Sequence, residues 1–175
     1  MRHLDLFSGI GGFALAARWA GIDTVAFCEI EEFPRKVLQK NFPGIPIHND
    51  IRELNGEEYA GIDLITGGYP CQPFSRAGKQ AGQKDDRHLW PEMFRVVKQA
   101  RPSWIVCENV TDHEYMGLDE VLANLEGEGY ATRPIIIPAG ALQRNHARER
   151  LWIVAHNERT GAKLEEYPDS RQAPD

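Results

Sequence analysis

Short runs of apolar, often β-branched residues alternate along the chain with stretches in which apolar positions recur every three or four residues. The runs predict strands at His3–Phe7, Thr24–Glu29, Ile45–Ile47, Asp63–Thr66, Ser103–Glu108, Arg133–Pro138 and Leu151–His156. The periodic stretches predict helices at Gly12–Ala20, Glu31–Asn41, Leu89–Ala100 and Leu118–Glu126. Gly21, Gly44 and Gly129 follow three of these helices, where a residue able to turn left-handed ends the element. Strand and helix in alternation imply an α/β protein: a doubly wound, mostly parallel sheet with helices on both faces. Two segments carry neither period. Residues 74–90 hold Arg76, Lys79, Lys84 and Arg87 among glycines and read as a long functional loop or a disordered segment. Residues 157–175 are polar, with Pro168 and Pro174, and read as a disordered tail behind one domain at 1–156.

Composition narrows the class. A chain of 175 residues, 42% apolar and 26% charged, is one ordinary globular domain. Residues 1–20 contain Asp5 and a glycine-rich turn, unlike a secretory leader, and no apolar run is long enough for a membrane span. Cys28, Cys71 and Cys107 are widely spaced and odd in number, which suits neither a disulfide framework nor a metal site. The expected compartment is a reducing cytoplasm. The net charge of -6 argues against gripping nucleic acid by overall attraction.

Between the first strand and first helix lies Asp5-Leu6-Phe7-Ser8-Gly9-Ile10-Gly11-Gly12-Phe13-Ala14. Gly9, Gly11 and Ala14 match the glycine pattern of adenosine-cofactor turns, and Glu29 ends the second strand where an acid can accept ribose hydroxyls. Asp5 disfavours a pyrophosphate, whereas the ammonium and sulfonium of S-adenosylmethionine suit a nearby carboxylate. Asp50 has two readings, a partner for the adenine amino group or the cap of a short helix.

Gly67-Gly68-Tyr69-Pro70-Cys71-Gln72-Pro73-Phe74-Ser75 follows the fourth strand and holds a thiol on stiff, non-helical backbone. A thiolate there is a candidate nucleophile, against the alternative of a small buried side chain. Glu108 ends the strand expected to lie beside it and reads as a carboxyl of raised proton affinity. Cys107 alternates with Glu108 and is assigned to the core, as is Cys28. His146, Arg148 and Arg150 alternate before the last strand and share one side, facing a base or phosphate, or else pairing with acids such as Glu149.

Taken in order, these segments resemble the DNA (cytosine-5)-methyltransferase family over residues 2 to about 156. The resemblance implies a Rossmann-like, S-adenosylmethionine-dependent fold, incomplete at its C-terminal end. It also implies a cofactor site of Asp5, Phe7, Gly9, Gly11, Gly12, Glu29, Ile30, Asp50, Ile51, Pro70 and Leu89. Cys71 becomes the nucleophile on a flipped-out cytosine, Glu108 the partner of its ring nitrogen and Arg148 the residue orienting its oxygen. Gln72, Ser75, Arg76, Asn109, Val110 and Arg150 fall at substrate-binding positions. The implied partners are cytosine-containing DNA and a separately encoded target-recognition subunit, with no metal and no membrane. His146 stands where the family usually has glutamine, and the family's target-recognition region and last motif have no counterpart in the sequence. Two other readings stay open, a non-catalytic remnant that binds cofactor or DNA, and an RNA cytosine methyltransferase. A nicotinamide dehydrogenase would explain the glycine turn alone.

Overall fold

In a computed structural model the chain is described at residues 1–70, 88–111, 117–142 and 148–157. Seven strands form one sheet: β1 (Arg2–Leu6), β2 (Asp23–Cys28), β3 (Ile47–His48), β4 (Leu64–Gly67), β5 (Trp104–Val110), β6 (Tyr130–Pro138) and β7 (Glu149–Asn157). Their order is β3-β2-β1-β4-β5-β7-β6. β1 to β5 pair in parallel, and β7 runs antiparallel to both β5 and β6. The expected mostly parallel, doubly wound sheet is therefore present. The order reverses between β1 and β4, so their carboxyl ends open a crevice at the switch point, where such sheets bind ligands.

Among the described residues four α-helices cover the sheet: α1 (Gly12–Trp19), α2 (Glu32–Asn41), α3 (Trp90–Ala100) and α4 (Leu118–Gly127). Leu4, Leu6, Ile65, Ile105 and Cys107 pack with Trp90, Met93, Val96, Val121 and Leu125 of α3 and α4 in the main core. A smaller cluster of Ala14, Phe27, Leu38 and Phe42 joins α1 and α2 to the opposite face. Gly21, Gly44 and Gly129 all have positive φ, as their places after helices require.

Predicted and observed bounds differ by up to three residues, and two of the differences have a plain physical reason. β3 is two residues long and sits one to two positions later than expected, because it needs only Phe27↔Ile47 and Cys28↔His48 to dock on β2. β6 begins three residues early, at Tyr130, since β7 offers pairing along its whole length and tertiary pairing overrides the weak strand preference of Ala131 and the polar Thr132.

The face of β4, β5 and β7 beside α1 has no helix over it among the described residues. A groove of ≈ 510 Å³ runs along it, lined by Phe13, Ala16, Ala20, Val106 and Trp152 among others, with Glu108 in its wall. The outer side of α1 is also apolar, and Trp19 is 78% exposed. A helix apolar all round normally lies between two layers.

Candidate active site

β1 leads into the glycine turn through Phe7, at φ 53°, and Gly9, at φ 52°, which bend the chain sharply above the sheet. Gly11 (φ 91°) must lack a side chain, since a Cβ there would come within 2.7 Å of the Phe42 ring and 2.9 Å of Leu38. Glu29 holds the turn from β2. Its Oε2 accepts the Gly9 amide at 2.7 Å and its Oε1 the Glu31 amide at 2.8 Å, leaving one lone pair on each oxygen.

Beside this turn lies a cleft of ≈ 300 Å³. Phe7, Glu29, Ile30, Asp50, Ile51, Pro70 and Leu89 line it, seven of the expected cofactor residues brought together from five segments of chain. Gly9, Gly11 and Gly12 shape the turn without lining the cleft. Cys28, Glu31, Asn49, Arg52 and Gly68 also line it, and the sequence reading did not single them out for that place. Arg52 pairs with Asp50 (3.3 Å), and its amide donates to Asp50 Oδ1 at 2.9 Å. Asp50 thus makes the local turn bond of the capping reading while its carboxylate still borders the cleft. A cleft with free carboxylate lone pairs at Glu29 and Asp50 and an apolar wall of Phe7, Ile30, Ile51 and Leu89 fits the ribose and adenine of S-adenosylmethionine.

Asp5 departs from expectation. It is 0% exposed beneath α1 and lines no part of the cleft, so it does not meet a ligand there. Its Oδ1 accepts the Thr66 hydroxyl at 3.0 Å, Thr66 Oγ1 lies 2.8 Å from His3 Nε2, and His3 Nδ1 lies 2.9 Å from Thr24 Oγ1. With the Thr66 proton given to Asp5, Nε2 must donate to Thr66 and Nδ1 must accept from Thr24. Asp5 Oδ2 makes no well-formed hydrogen bond, although the Ala14 amide of α1 is close enough to favour the charged form slightly. Burial outweighs this and pushes the Asp5 carboxyl up to about 8, while it pushes His3 down to about 4.

The second part of the site stands at the end of β5. Glu108 is half-buried on the face that carries Trp152, its direct partner on β7. Arg150, two residues along β7 and on the same face, reaches diagonally across, with Nε 2.7 Å from Glu108 Oε1. The antiparallel register of β5 and β7 supplies this carboxylate with a basic partner. Arg148 is exposed one residue before β7, and no ion pair to Glu108 is formed by it. The other oxygen, Oε2, faces β4 and lies 3.3 Å from where a Cβ on Gly68 would be. Glycine at this position gives the carboxylate room beside the backbone that leads into Pro70.

Asn109 has a different place from that expected. It shares the face of Cys107, is 6% exposed, and donates from Nδ2 to the Tyr69 carbonyl at 3.1 Å. Asn109 therefore ties the end of β5 to the backbone entering Pro70 instead of opening to the crevice. The period of two along Cys107-Glu108-Asn109 carried this information. Val110 is partly exposed at the strand end. Cys28 and Cys107 are buried as expected, and burial pushes both thiols up to about 12, leaving them unreactive. Cys71, Gln72, Ser75, Arg76 and His146 lie outside the described residues. Among the described residues no group of three or more His, Cys, Asp or Glu can hold a metal, and no helix is long and apolar enough to cross a membrane.

A sheet wound this way, with a glycine turn after β1 and a cleft at the switch point, defines a Rossmann-like methyltransferase fold. The model of the C-5 cytosine-specific DNA methylase family matches residues 1–174, and the chain belongs to that family. Type II methyltransferase M.NgoMIV of Neisseria gonorrhoeae is 46% identical over 108 residues, 61% of this chain and 35% of that protein. Type II methyltransferase M.HhaI of Haemophilus parahaemolyticus is 31% identical over 159 residues, 88% of this chain and 48% of the relative. Among solved structures, a putative DNA modification methyltransferase encoded within an E. coli prophage superposes with TM-score 0.78 at 28% identity, over 94% of this chain and 49% of its own. S. pombe Dnmt2 methyltransferase gives TM-score 0.77 at 26% identity, over 90% and 51%. The chain thus spans between about a third and a half of the length of these relatives.

Proposed function

We propose that this chain is the catalytic part of a DNA cytosine-5 methyltransferase. The observation that carries the reading is the parallel pairing of β4 with β5. It sets Gly67 opposite Cys107, so the backbone running into Pro70 leaves the sheet beside Glu108, and Cys71 is the next residue in the sequence. A thiol nucleophile acting with that carboxyl group suits addition to an electron-poor ring.

The target cytosine enters the crevice flipped out of its duplex, because its ring carbons are inaccessible in the stack. The Cys71 thiolate adds to ring carbon 6 while the carboxyl of Glu108, carrying a proton, donates it in a hydrogen bond to ring nitrogen 3, which takes up the electron pair displaced through the ring. Carbon 5 becomes nucleophilic and is methylated, a base removes its proton, and the electron pair that returns expels the thiolate from carbon 6. S-adenosylmethionine, when bound, supplies the methyl group as an electrophile on its sulfonium. Phe7, Glu29, Ile30, Asp50, Ile51, Pro70 and Leu89 are the residues to hold it. Gln72, Ser75, Arg76 and Val110 keep their proposed places on the substrate side. Arg150, beside Glu108, is better placed than Arg148 to orient the base oxygen, and exposed Arg148 is left to a backbone phosphate.

Target recognition is assigned to chain beyond these elements, continuous or separately encoded. Two features support this: relatives of which the chain covers less than half, and the uncovered apolar groove beside α1. An acidic net charge of -6 also leaves phosphate binding to another surface. The test is transfer of labelled methyl to cytosine-rich duplex, with and without a relative's target-recognition half added in trans. Transfer that needs the added half and disappears in Cys71→Ala supports the reading. Transfer that survives Cys71→Ala overturns the covalent route, and transfer to RNA but not DNA replaces the substrate.

A further inference from the structure

α3 carries a row of polar side chains, Glu92, Arg95 and Gln99, on the side facing the segment after β3. All three guanidinium nitrogens of Arg95 are engaged there. Nη2 donates to the Ile51 carbonyl at 2.6 Å and Nη1 to the Leu54 carbonyl at 2.9 Å, while Nη1 also meets Gln99 Oε1 at 2.9 Å. Nε is held by Glu92 at 2.9 Å, which fixes the plane of the fork. Gln99 Oε1 accepts in addition the Gly56 amide at 3.0 Å, and a Cβ on Gly56 would lie 2.8 Å from the Val96 carbonyl. The segment from Ile51 to Gly56 is therefore clamped on α3 at three backbone points.

That segment is one wall of the cleft, where Asp50, Ile51 and Arg52 line it opposite Phe7 and Pro70. It has little regular structure to hold it, since β3 is only two residues long and a short 3-10 turn begins at Gly56. The same helix supports the other wall. Trp90 packs against Tyr69 (ring centroids 5.1 Å apart), and Met93 closes on Gly67.

We propose that Arg95 is the positioning residue of the cofactor cleft, setting the place of Asp50 and Ile51 by holding the Ile51 and Leu54 carbonyls from α3. The proposal rests on the reading of the cleft as an S-adenosylmethionine site, and it makes no contact with the ligand. Lysine offers a point charge in place of a fork and can satisfy one carbonyl but not both. Methionine keeps the stem packing and satisfies neither.

The test compares wild-type chain, Arg95→Lys and Arg95→Met by hydrogen–deuterium exchange and by calorimetric titration with S-adenosylmethionine. Amides of residues 51–56 are expected to exchange at least about tenfold faster in Arg95→Met, with β1 and β4 unchanged and Arg95→Lys intermediate. Affinity for S-adenosylmethionine is expected to fall about tenfold in Arg95→Met and to recover in part in Arg95→Lys. Unchanged exchange at 51–56, or faster exchange throughout the sheet in both variants, overturns the proposal. A wild-type chain that binds no S-adenosylmethionine fails the cofactor reading, while the exchange comparison still decides the clamp.

Discussion

Arg150 and Glu108 face each other across neighbouring antiparallel strands, with the guanidinium Nε 2.7 Å from the carboxylate. The pair is half-buried, so its worth to the fold is small, about 0–1 kcal/mol. Its value lies in aiming the carboxylate. Arg150→Met is expected to leave the melting temperature almost unchanged and to lower methyl transfer by roughly a hundredfold, as loss of a charge-orienting donor does. Arg148→Met is expected to cost less and to act on DNA affinity. Initial rates of labelled methyl transfer by the complemented enzyme, at several DNA concentrations, separate the two.

Asp5 and His3 predict an unusual pH dependence of stability. Asp5 is raised from 3.8 to about 8, so the folded chain keeps a proton that the unfolded chain has lost, and stability falls as pH rises between those values. His3 is lowered from 6.5 to about 4, so the unfolded chain gains a proton first and stability falls as pH drops through that window. The two oppose each other below pH 6.5, and above it Asp5 acts alone until about 8. Urea midpoints are therefore expected to decline from pH 6.5 towards 8.5, and Asp5→Asn is expected to flatten that decline. A decline of equal depth in the variant refutes the assignment.

Gly11→Ala places a methyl group against Phe42 and Leu38 on a backbone of φ 91°. A destabilisation of about 2 kcal/mol is expected from overpacking and left-handed strain together. Denaturant unfolding measures it. Gly12→Ala, where a Cβ meets nothing within 4 Å, serves as the comparison and is expected to be nearly neutral.

Ala16→Asp puts a charge in the wall of the apolar groove, at an exposed helical position. Fold and cofactor affinity are expected to stay as in the wild type. Complementation by a target-recognition half in trans is expected to fail, because a carboxylate cannot be desolvated against Phe13 and Trp152 without a partner. Sedimentation of the mixed chains reads the association directly. Undiminished association removes the groove from the interface.

Strand and helix alternation, the glycine turn, and the placing of Glu29 and Asp50 beside one cleft were legible in the sequence, because periodicity and turn chemistry are local properties. Cys28 and Cys107 were legible as core for the same reason, since a period of two decides which face a strand residue occupies. Asn109 was equally legible by that period, and its bond to the Tyr69 carbonyl follows from the face it shares with Cys107. Pairing partners were not. Register between β5 and β7 joins residues more than forty positions apart and gives Glu108 its arginine. The depth of the sheet beneath α1 removes Asp5 from the ligand and places it in a relay with Thr66 and His3. Nothing in the polar face of α3 marks Arg95 out from any solvated arginine until the segment after β3 is folded against it. Sequence alone determined which candidate groups this chain carries and in what order along the fold. Only tertiary structure decided which charged groups meet, because a local pattern fixes the direction of a side chain and not what stands opposite.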